Sequence, residues 1–271
     1  MQKTISILGC GWLGLPLAER FVSMGYKVKG STTQQEKITL LMEKNIQAYT
    51  IDLAAETTDD LLLDFFQTDV LIVTIPPRSR TQAAGVYLAQ MKRVAALIKK
   101  QSGIQRIVYT SSTAVYPDKP GWVKESDVMD AAHAGHEELA AVEQLLLTLP
   151  NTTIVRLGGL TGGSRLLVKH FAGKKGLAGG QHPVNLIHLE DAVGVVVWVV
   201  SKNITGVVNA CSPIHPCKKD FYQSLARRFE MPLPEFKEER EEGKTVDTAK
   251  LEQLGYAFTY PDPQFYSYDP Q

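Results

Sequence analysis

The sequence predicts an α/β protein built on a doubly wound parallel sheet, with a small C-terminal lobe. Three observations carry this. Short apolar runs alternate with amphipathic helical stretches through the first half of the chain. Glycines stand in G-x-G-x-x-G spacing directly after the first apolar run. From residue 213 onward, prolines and a charged run change the texture. Strands separated by helical stretches need crossover connections, and these give parallel sheets covered on both faces.

The elements follow in order. Residues 4–8, "TISIL", read as a strand. A helix is expected from about 12 to 24, with Leu13, Leu17 and Phe21 on one face. Further strands are expected at 26–31, 46–51 and 70–75, and the helical pattern at 83–100 leads to a fifth at 106–111. The stretch 133–147, "HAGHEELAAVEQLLL", has Leu139, Val142 and Leu146 at helical spacing. Glu137 and Glu138 lie near its start, where the helix dipole favours negative charge. It leads to a strand at 152–157. The glycine-rich, basic stretch 158–185 reads as loops with a short helix. "LIHLEDAVGVVVWVV" gives a strand and a buried helix, with Glu190 or Asp191 serving that helix's N-terminus. "GVVNAC" gives another strand, residues 220–230 a helix, and "EFKEEREEGK" a solvated face or loop. The division expected is a sheet domain over 1–212, with an insertion at 162–184, and a small lobe over 213–271.

Bulk properties exclude several function classes. The 271 residues hold 29 Lys+Arg and 29 Asp+Glu, so net charge attracts neither nucleic acid nor an anionic membrane. Three cysteines build no disulfide framework in a chain this long, and the N-terminus has no signal-peptide pattern. The apolar run "AVGVVVWVV" is too short to span a bilayer. A cytoplasmic location is expected. His133 with His136, and Cys211 with His215 and Cys217, are spaced like metal ligands, but each group lacks further ligands nearby, so no metal is expected.

The glycine spacing has a specific chemistry. After a strand and before a helix, Gly9 permits a tight turn, Gly11 lets backbone approach a pyrophosphate, and Gly14 lets the helix pack on the strand. The helix opens at Trp12 and Leu13, and its N-terminal N–H groups and dipole favour phosphate. This is the dinucleotide grip of a Rossmann-type sheet. An NAD site usually has an acid roughly 20 residues further on, bonding the ribose 2′-hydroxyl. Here the second strand ends in Ser31, Thr32 and Thr33, with no carboxylate until Glu36. Hydroxyls can bond a 2′-phosphate and Lys37 can add charge, so NADP(H) is favoured. NAD(H) stays open, because the arginine usual for NADP is missing too. The alternative is that these hydroxyls only cap the next helix. After the fourth strand, Pro76 and Pro77 form a rigid loop beside the cofactor, with Arg78 and Arg80 able to meet an anion.

The fifth strand runs into "VYTSSTAVYP". With the glycine motif and the later "IVRLGGLTGGSR" and "VNLIHLEDA", it resembles the extended short-chain dehydrogenase/reductase superfamily, of the NAD-dependent epimerase/dehydratase type. The resemblance runs from Ile5 to about Cys211, and "GKTVDTAKLEQLGYAFTYPD" is similar to that family's C-terminal end. It implies a C-terminal lobe on the substrate side. It places Ser111 beside the cofactor and maps the serine that polarises the reacting oxygen onto Ser112. Tyr116 closes the same run, with a structural, substrate-lining or, less expectedly, catalytic role.

The family's acid/base pair is a Tyr four residues before a Lys, and both should lie on the helix at 133–147. Aligning Glu143 with the family's acidic residue puts Gly135 and Leu139 at those positions. A shift of one puts His136 and Ala140 there. No register restores the pair, so the chain resembles an atypical member. His136 is the residue there able to transfer a proton near neutrality, against the plainer reading of a solvated helix end. The resemblance also sets 162–185 beside the substrate. Arg165, Lys174 and Lys175 would then meet a phosphate, unless this is simply a basic loop.

Two readings follow. One is an NADP(H)-dependent oxidoreductase or epimerase-like enzyme with non-standard catalytic residues, acting on a small polar or sugar-nucleotide molecule. The other is a non-catalytic dinucleotide-binding sensor or scaffold. Homodimers through helices flanking the sheet are common in the family, so a homodimer is compatible with either.

Overall fold

The computed structural model describes residues 2–54, 59–77, 83–127, 136–238 and 242–269. In chain order the first elements are β1 (Thr4–Leu8), α1 (Gly14–Ser23), β2 (Lys27–Thr32), α2 (Lys37–Glu43), β3 (Gln47–Thr50), α3 (Asp59–Phe66), β4 (Val70–Val73), α4 (Val86–Lys99) and β5 (Arg106–Ser112). Then come β6 (Gly121–Val123), α5 (Glu137–Leu147), β7 (Thr152–Leu157), β8 (Gly159–Thr161), β9 (Leu186–His188), α6 (Leu189–Ser201), β10 (Gly206–Ala210), α7 (Lys218–Arg228), β11 (Lys244–Val246) and α8 (Ala249–Gln253).

Seven strands form one sheet in the order β10-β7-β5-β4-β1-β2-β3. The pairs β1–β2, β2–β3, β1–β4 and β4–β5 are all parallel, with Ile5 set against Val28 on one side and Val70 on the other. The chain winds outward from β1 to β3, then returns to β4 and winds the other way. The winding direction therefore reverses between β1 and β4, the crevice where such sheets bind ligands at their strand C-terminal ends. This is the Rossmann-type, doubly wound fold expected from the alternating pattern.

Burial explains why these segments are strands. All four residues of β4 and all six of β7 are buried, as in strands covered on both faces. Leu17, Ala18 and Phe21 give α1 its buried stripe. Helix α1 starts at Gly14, two residues later than expected, because residues 9–13 form the glycine turn. The start of α5 is at Glu137. His133 and Gly135 lie outside the described residues, as do Arg78 and Arg80. Helices α2 and α3, with seven and eight residues, are too short to show a clear period in sequence.

The chain divides into two compact units that interleave along the sequence. Residues 1–111, 136–155 and 195–207 form the first, and residues 112–135, 156–194 and 208–271 the second. The second unit contains two small parallel pairs, β6–β11 and β8–β9. The glycine-rich stretch thus holds a strand, and a 3-10 turn at Leu167–His170 stands where a short helix was expected. The core of this unit includes Leu166, Val168, Leu186, Phe221, Leu225 and Tyr266. Helix α7 runs two residues earlier than expected, and Glu230 takes a left-handed φ of 51°, which no α-helix continues through.

Asp191 does more than serve its own helix. Its buried carboxylate accepts from the Thr259 N–H and the Tyr260 N–H, each at 2.8 Å, and from the Tyr256 hydroxyl at 3.1 Å. One carboxylate thereby pins the C-terminal tail to the start of α6. Among the described residues, no helix is long and apolar enough to cross a membrane.

Candidate functional site

The glycine turn lies at the C-terminal end of β1, beside the end of β4. Gly9 has φ +109°, a left-handed value that L side chains rarely adopt. A Cβ built on Gly14 would lie 2.1 Å from the Gly9 carbonyl oxygen, so α1 approaches β1 as closely as it does only because Gly14 has no side chain. Gly11 differs. A Cβ there meets nothing within 4 Å, and its backbone is not in the left-handed region. The fold itself makes no demand for glycine at 11, which suits close approach by a ligand's pyrophosphate.

Helix α1 has no side-chain cap at Leu13 and no acid in its first turn. An N-terminus of that kind favours an anion through its N–H groups and dipole. Trp12 is half-buried and Leu13 is buried. Cys10 packs inside the turn, and burial pushes its thiol up to about 12, so it is inert near neutral pH. These residues fit a dinucleotide: two glycines serve the turn's own geometry and the third leaves a cradle that a Cβ would fill.

The end of β2 departs from the expected picture. Ser31 is buried, and its Oγ accepts from the Gly9 N–H at 3.0 Å. Thr32 is also buried, and its Oγ1 accepts from the Gln34 N–H at 3.1 Å. Both hydroxyls serve the fold's own backbone: Ser31 holds the glycine turn, and Thr32 closes a local turn rather than capping α2, whose N-cap is Glu36 without a side-chain bond. Thr33 is the exposed member of the three. At the end of β4, Pro76 is exposed and Pro77 half-buried. Just before them, the Ile75 carbonyl accepts from the Tyr87 hydroxyl at 2.8 Å, and that hydroxyl lies 2.9 Å from the Tyr109 hydroxyl.

Strand β5 presents Ser111 and Ser112 on opposite faces, as the pleat requires. Ser111, expected beside the cofactor, donates to Glu143 Oε1 on α5 at 2.5 Å. Both residues are buried, so this bond gives a buried carboxylate a donor it would be costly to lack. Leu139 and Ala140, the two alternatives for the missing lysine, are only 2% exposed and apolar. His136 is the N-cap of α5. Its Nδ1 accepts from the Leu139 N–H over a long 3.4 Å, so the neutral ring carries its hydrogen on Nε2. Glu138, in the same first turn, accepts from the Leu88 N–H at 3.0 Å and so serves the N-terminus of α4.

In the second unit, Ser112 is half-buried, and its Oγ accepts from the Ala114 N–H at 3.1 Å. Accepting one bond leaves its O–H able to donate. Tyr116 is fully buried. Its hydroxyl donates to Asn209 Oδ1 and accepts from Arg156 Nη1, each at 2.8 Å. Burial raises its pKa, although the Arg156 guanidinium opposes that. With both bonding directions occupied, Tyr116 is a structural post, and a catalytic role for it loses its support. The signal in sequence was absent, because Asn209 lies 93 residues away.

Of the basic candidates, Arg165 and Lys174 are exposed, while Lys175 lies 3.2 Å from Glu235 in an exposed ion pair. His188 is buried. Its Nδ1 accepts from the Glu190 N–H at 3.3 Å, which leaves Nε2 to donate to the Ser267 carbonyl at 3.0 Å. Among the described residues, no three His, Cys, Asp or Glu side chains cluster as metal ligands.

Comparison with known proteins agrees with the fold. The family described as the NAD dependent epimerase/dehydratase family matches residues 5–137. Protein YeeZ of Escherichia coli (strain K12) is 35% identical over 275 residues, covering 97% of this chain and 98% of that protein. A functionally unknown conserved protein from Silicibacter pomeroyi superposes with a TM-score of 0.74 at 21% identity, covering 97% of this chain and 96% of that one. A mutant UDP-glucuronic acid 4-epimerase from Bacillus cereus, solved with UDP-4-deoxy-4-fluoro-glucuronic acid and NAD, gives a TM-score of 0.76 at 18% identity, covering 96% of this chain and 95% of that one. At such identities the two structures speak for the fold alone.

Proposed function

The chain belongs to the NAD dependent epimerase/dehydratase family, and from that premise we propose that its glycine turn holds a dinucleotide, NADP(H) in preference to NAD(H). The observation that carries the reading is the contrast among the three glycines. Gly9 and Gly14 are required by the turn and the helix, whereas Gly11 is required by nothing in the fold. The backbone at Gly11, Trp12 and Leu13 would meet the pyrophosphate at the uncapped start of α1. The preference for NADP(H) rests on the missing carboxylate at the end of β2, with Thr33 exposed there and Lys37 four residues on. An acid in that position would repel a 2′-phosphate.

When bound, the nicotinamide supplies hydride chemistry. The chain's own contribution is to orient and to move protons. Ser112 Oγ keeps a hydrogen to give and would orient the reacting oxygen of a small polar or sugar-nucleotide substrate. Arg165 and Lys174 would meet a phosphate of that substrate. The Nε2–H of His136 is the donor left at the start of α5, where the family's tyrosine is missing. Titration calorimetry checks the cofactor: NADPH should bind more tightly than NADH, and equal or tighter NADH binding would contradict the preference. NADPH oxidation against a panel of carbonyl compounds checks turnover, which Ser112→Ala should lower with cofactor affinity unchanged.

A second reading has its own observation. Leu139 and Ala140 are buried apolar residues where the family's lysine should stand, so α5 is built as scaffold. On that reading the protein binds the dinucleotide without turning it over. Tightly held cofactor that never changes redox state in the same panel would favour it.

A further inference from the structure

Two consecutive peptide groups of the glycine turn are held from both sides. In the first, the Gly9 N–H donates to Ser31 Oγ at 3.0 Å, and the Leu8 carbonyl accepts from the Thr74 N–H at 3.0 Å. In the second, the Cys10 N–H donates to the Ser31 carbonyl at 2.6 Å, and the Gly9 carbonyl accepts from Thr74 Oγ1 at 2.6 Å. Ser31 therefore grips both N–H groups and Thr74 both carbonyls. One lies on β2 and the other just past β4, the two strands that flank β1.

This matters because a turn at φ +109° has many alternatives open to it, glycine being the most permissive residue. Fixing both peptide planes removes them before any ligand arrives. It also directs the Gly9 carbonyl toward α1, into the 2.1 Å gap that excludes a Cβ at Gly14. Ser31 Oγ accepts from Gly9 and keeps its hydrogen, but the residue is only 2% exposed, so little of it is open to a ligand.

We propose that Ser31 and Thr74 are positioning residues that preorganise the phosphate-binding turn, and that Ser31 does not read the ribose 2′ substituent. The inference rests on the dinucleotide reading above, but it parts from the idea that the Ser31 hydroxyl selects NADP(H). A residue that shapes the pyrophosphate turn acts equally on NAD and NADP, which share that group. A residue that touches the 2′-phosphate acts on NADP alone.

The test is calorimetric titration of NAD⁺ and NADP⁺ into wild type, Ser31→Ala, Thr74→Val and Thr74→Ser. Ser31→Ala and Thr74→Val should each weaken both cofactors by the same factor, about 5- to 10-fold, the size of one lost hydrogen bond. Thr74→Ser keeps the hydroxyl and should bind both cofactors as wild type does. Amide hydrogen exchange on the cofactor-free protein supplies an independent readout. The Gly9 amide should exchange faster in Ser31→Ala, while amides in the centre of β5 stay as protected as in wild type. A loss confined to NADP⁺ in Ser31→Ala would overturn the inference and make Ser31 a ribose-reading residue. Unchanged affinity and unchanged exchange in both variants would overturn it as well. Wild-type protein that binds neither cofactor would instead defeat the dinucleotide reading, and faster Gly9 exchange in Ser31→Ala would still support the clamp.

Discussion

Helices α1 and α5 belong to the same unit of the molecule but begin differently. Helix α1 starts in a glycine turn, without a side-chain cap and without an acid in its first turn. Helix α5 starts with a capping histidine and two glutamates. The same backbone dipole is left open to an anion in one and answered by the protein's own groups in the other. The difference continues along the buried faces. On α1, a missing side chain at Gly14 sets the helix against β1. On α5, Leu139, Ala140, Val142 and Leu146 fill the core, and Glu143 is tied to Ser111. Helix α1 leaves its start open to an anion, whereas α5 commits its start and its buried face to the fold's own contacts.

The largest effect that would break this comparison is expected at Gly14. Gly14→Val pushes a branched side chain into the Gly9 carbonyl, which is backbone and cannot turn aside. Overpacking of this kind costs about 1–3 kcal/mol or more. The melting temperature should fall by about 5 °C or more, with cofactor titration flat. A variant with wild-type melting would show that the close approach of α1 is not needed.

Glu143→Leu comes next. It leaves Ser111 buried without its partner, a loss of about 1–3 kcal/mol in chemical denaturation. Cofactor affinity should stay at the wild-type value if this buried pair serves the framework alone. A large loss of affinity would return Ser111 to the cofactor site.

His136→Ala should cost about 1 kcal/mol or less, since the capping bond is long. If turnover exists and α5 is framework, kcat should be little changed. A fall of roughly 100-fold or more, with folding and NADPH binding intact, is the size expected for a lost general acid or base. The smallest effect belongs to Glu137→Gln, which removes one first-turn charge worth about 0.3–1 kcal/mol. Raising the salt concentration should shrink even that difference, because exposed charges are screened.

Legibility in the sequence followed distance along the chain. Gly9, Gly11 and Gly14 lie within six residues, so their spacing could be read directly. The strands of the first unit could be read because apolar runs are local. The polar partnerships could not, because they are long-range. Ser31 meets Gly9 across 22 residues, Ser111 meets Glu143 across 32, and Asp191 holds a tail 65 to 69 residues away. A serine at a strand end looks the same in sequence whether it faces a ribose or a neighbouring N–H. The hydroxyls of Ser31 and Ser111 are expected at the cofactor for that reason, with capping the alternative for Ser31, and each makes a long-range bond within the fold. The short strands β6, β8 and β11, three residues each, have no period to detect.

The claim that α1 holds a dinucleotide rests on Gly11, and Gly11→Val tests it most directly. Thermal denaturation and calorimetric titration with NADPH should be run on the same preparation. Because a Cβ at 11 meets nothing within 4 Å, melting should stay close to wild type. NADPH binding should all but vanish, because the new side chain occupies the pyrophosphate's approach. Undiminished NADPH affinity in a well-folded Gly11→Val protein would contradict the account.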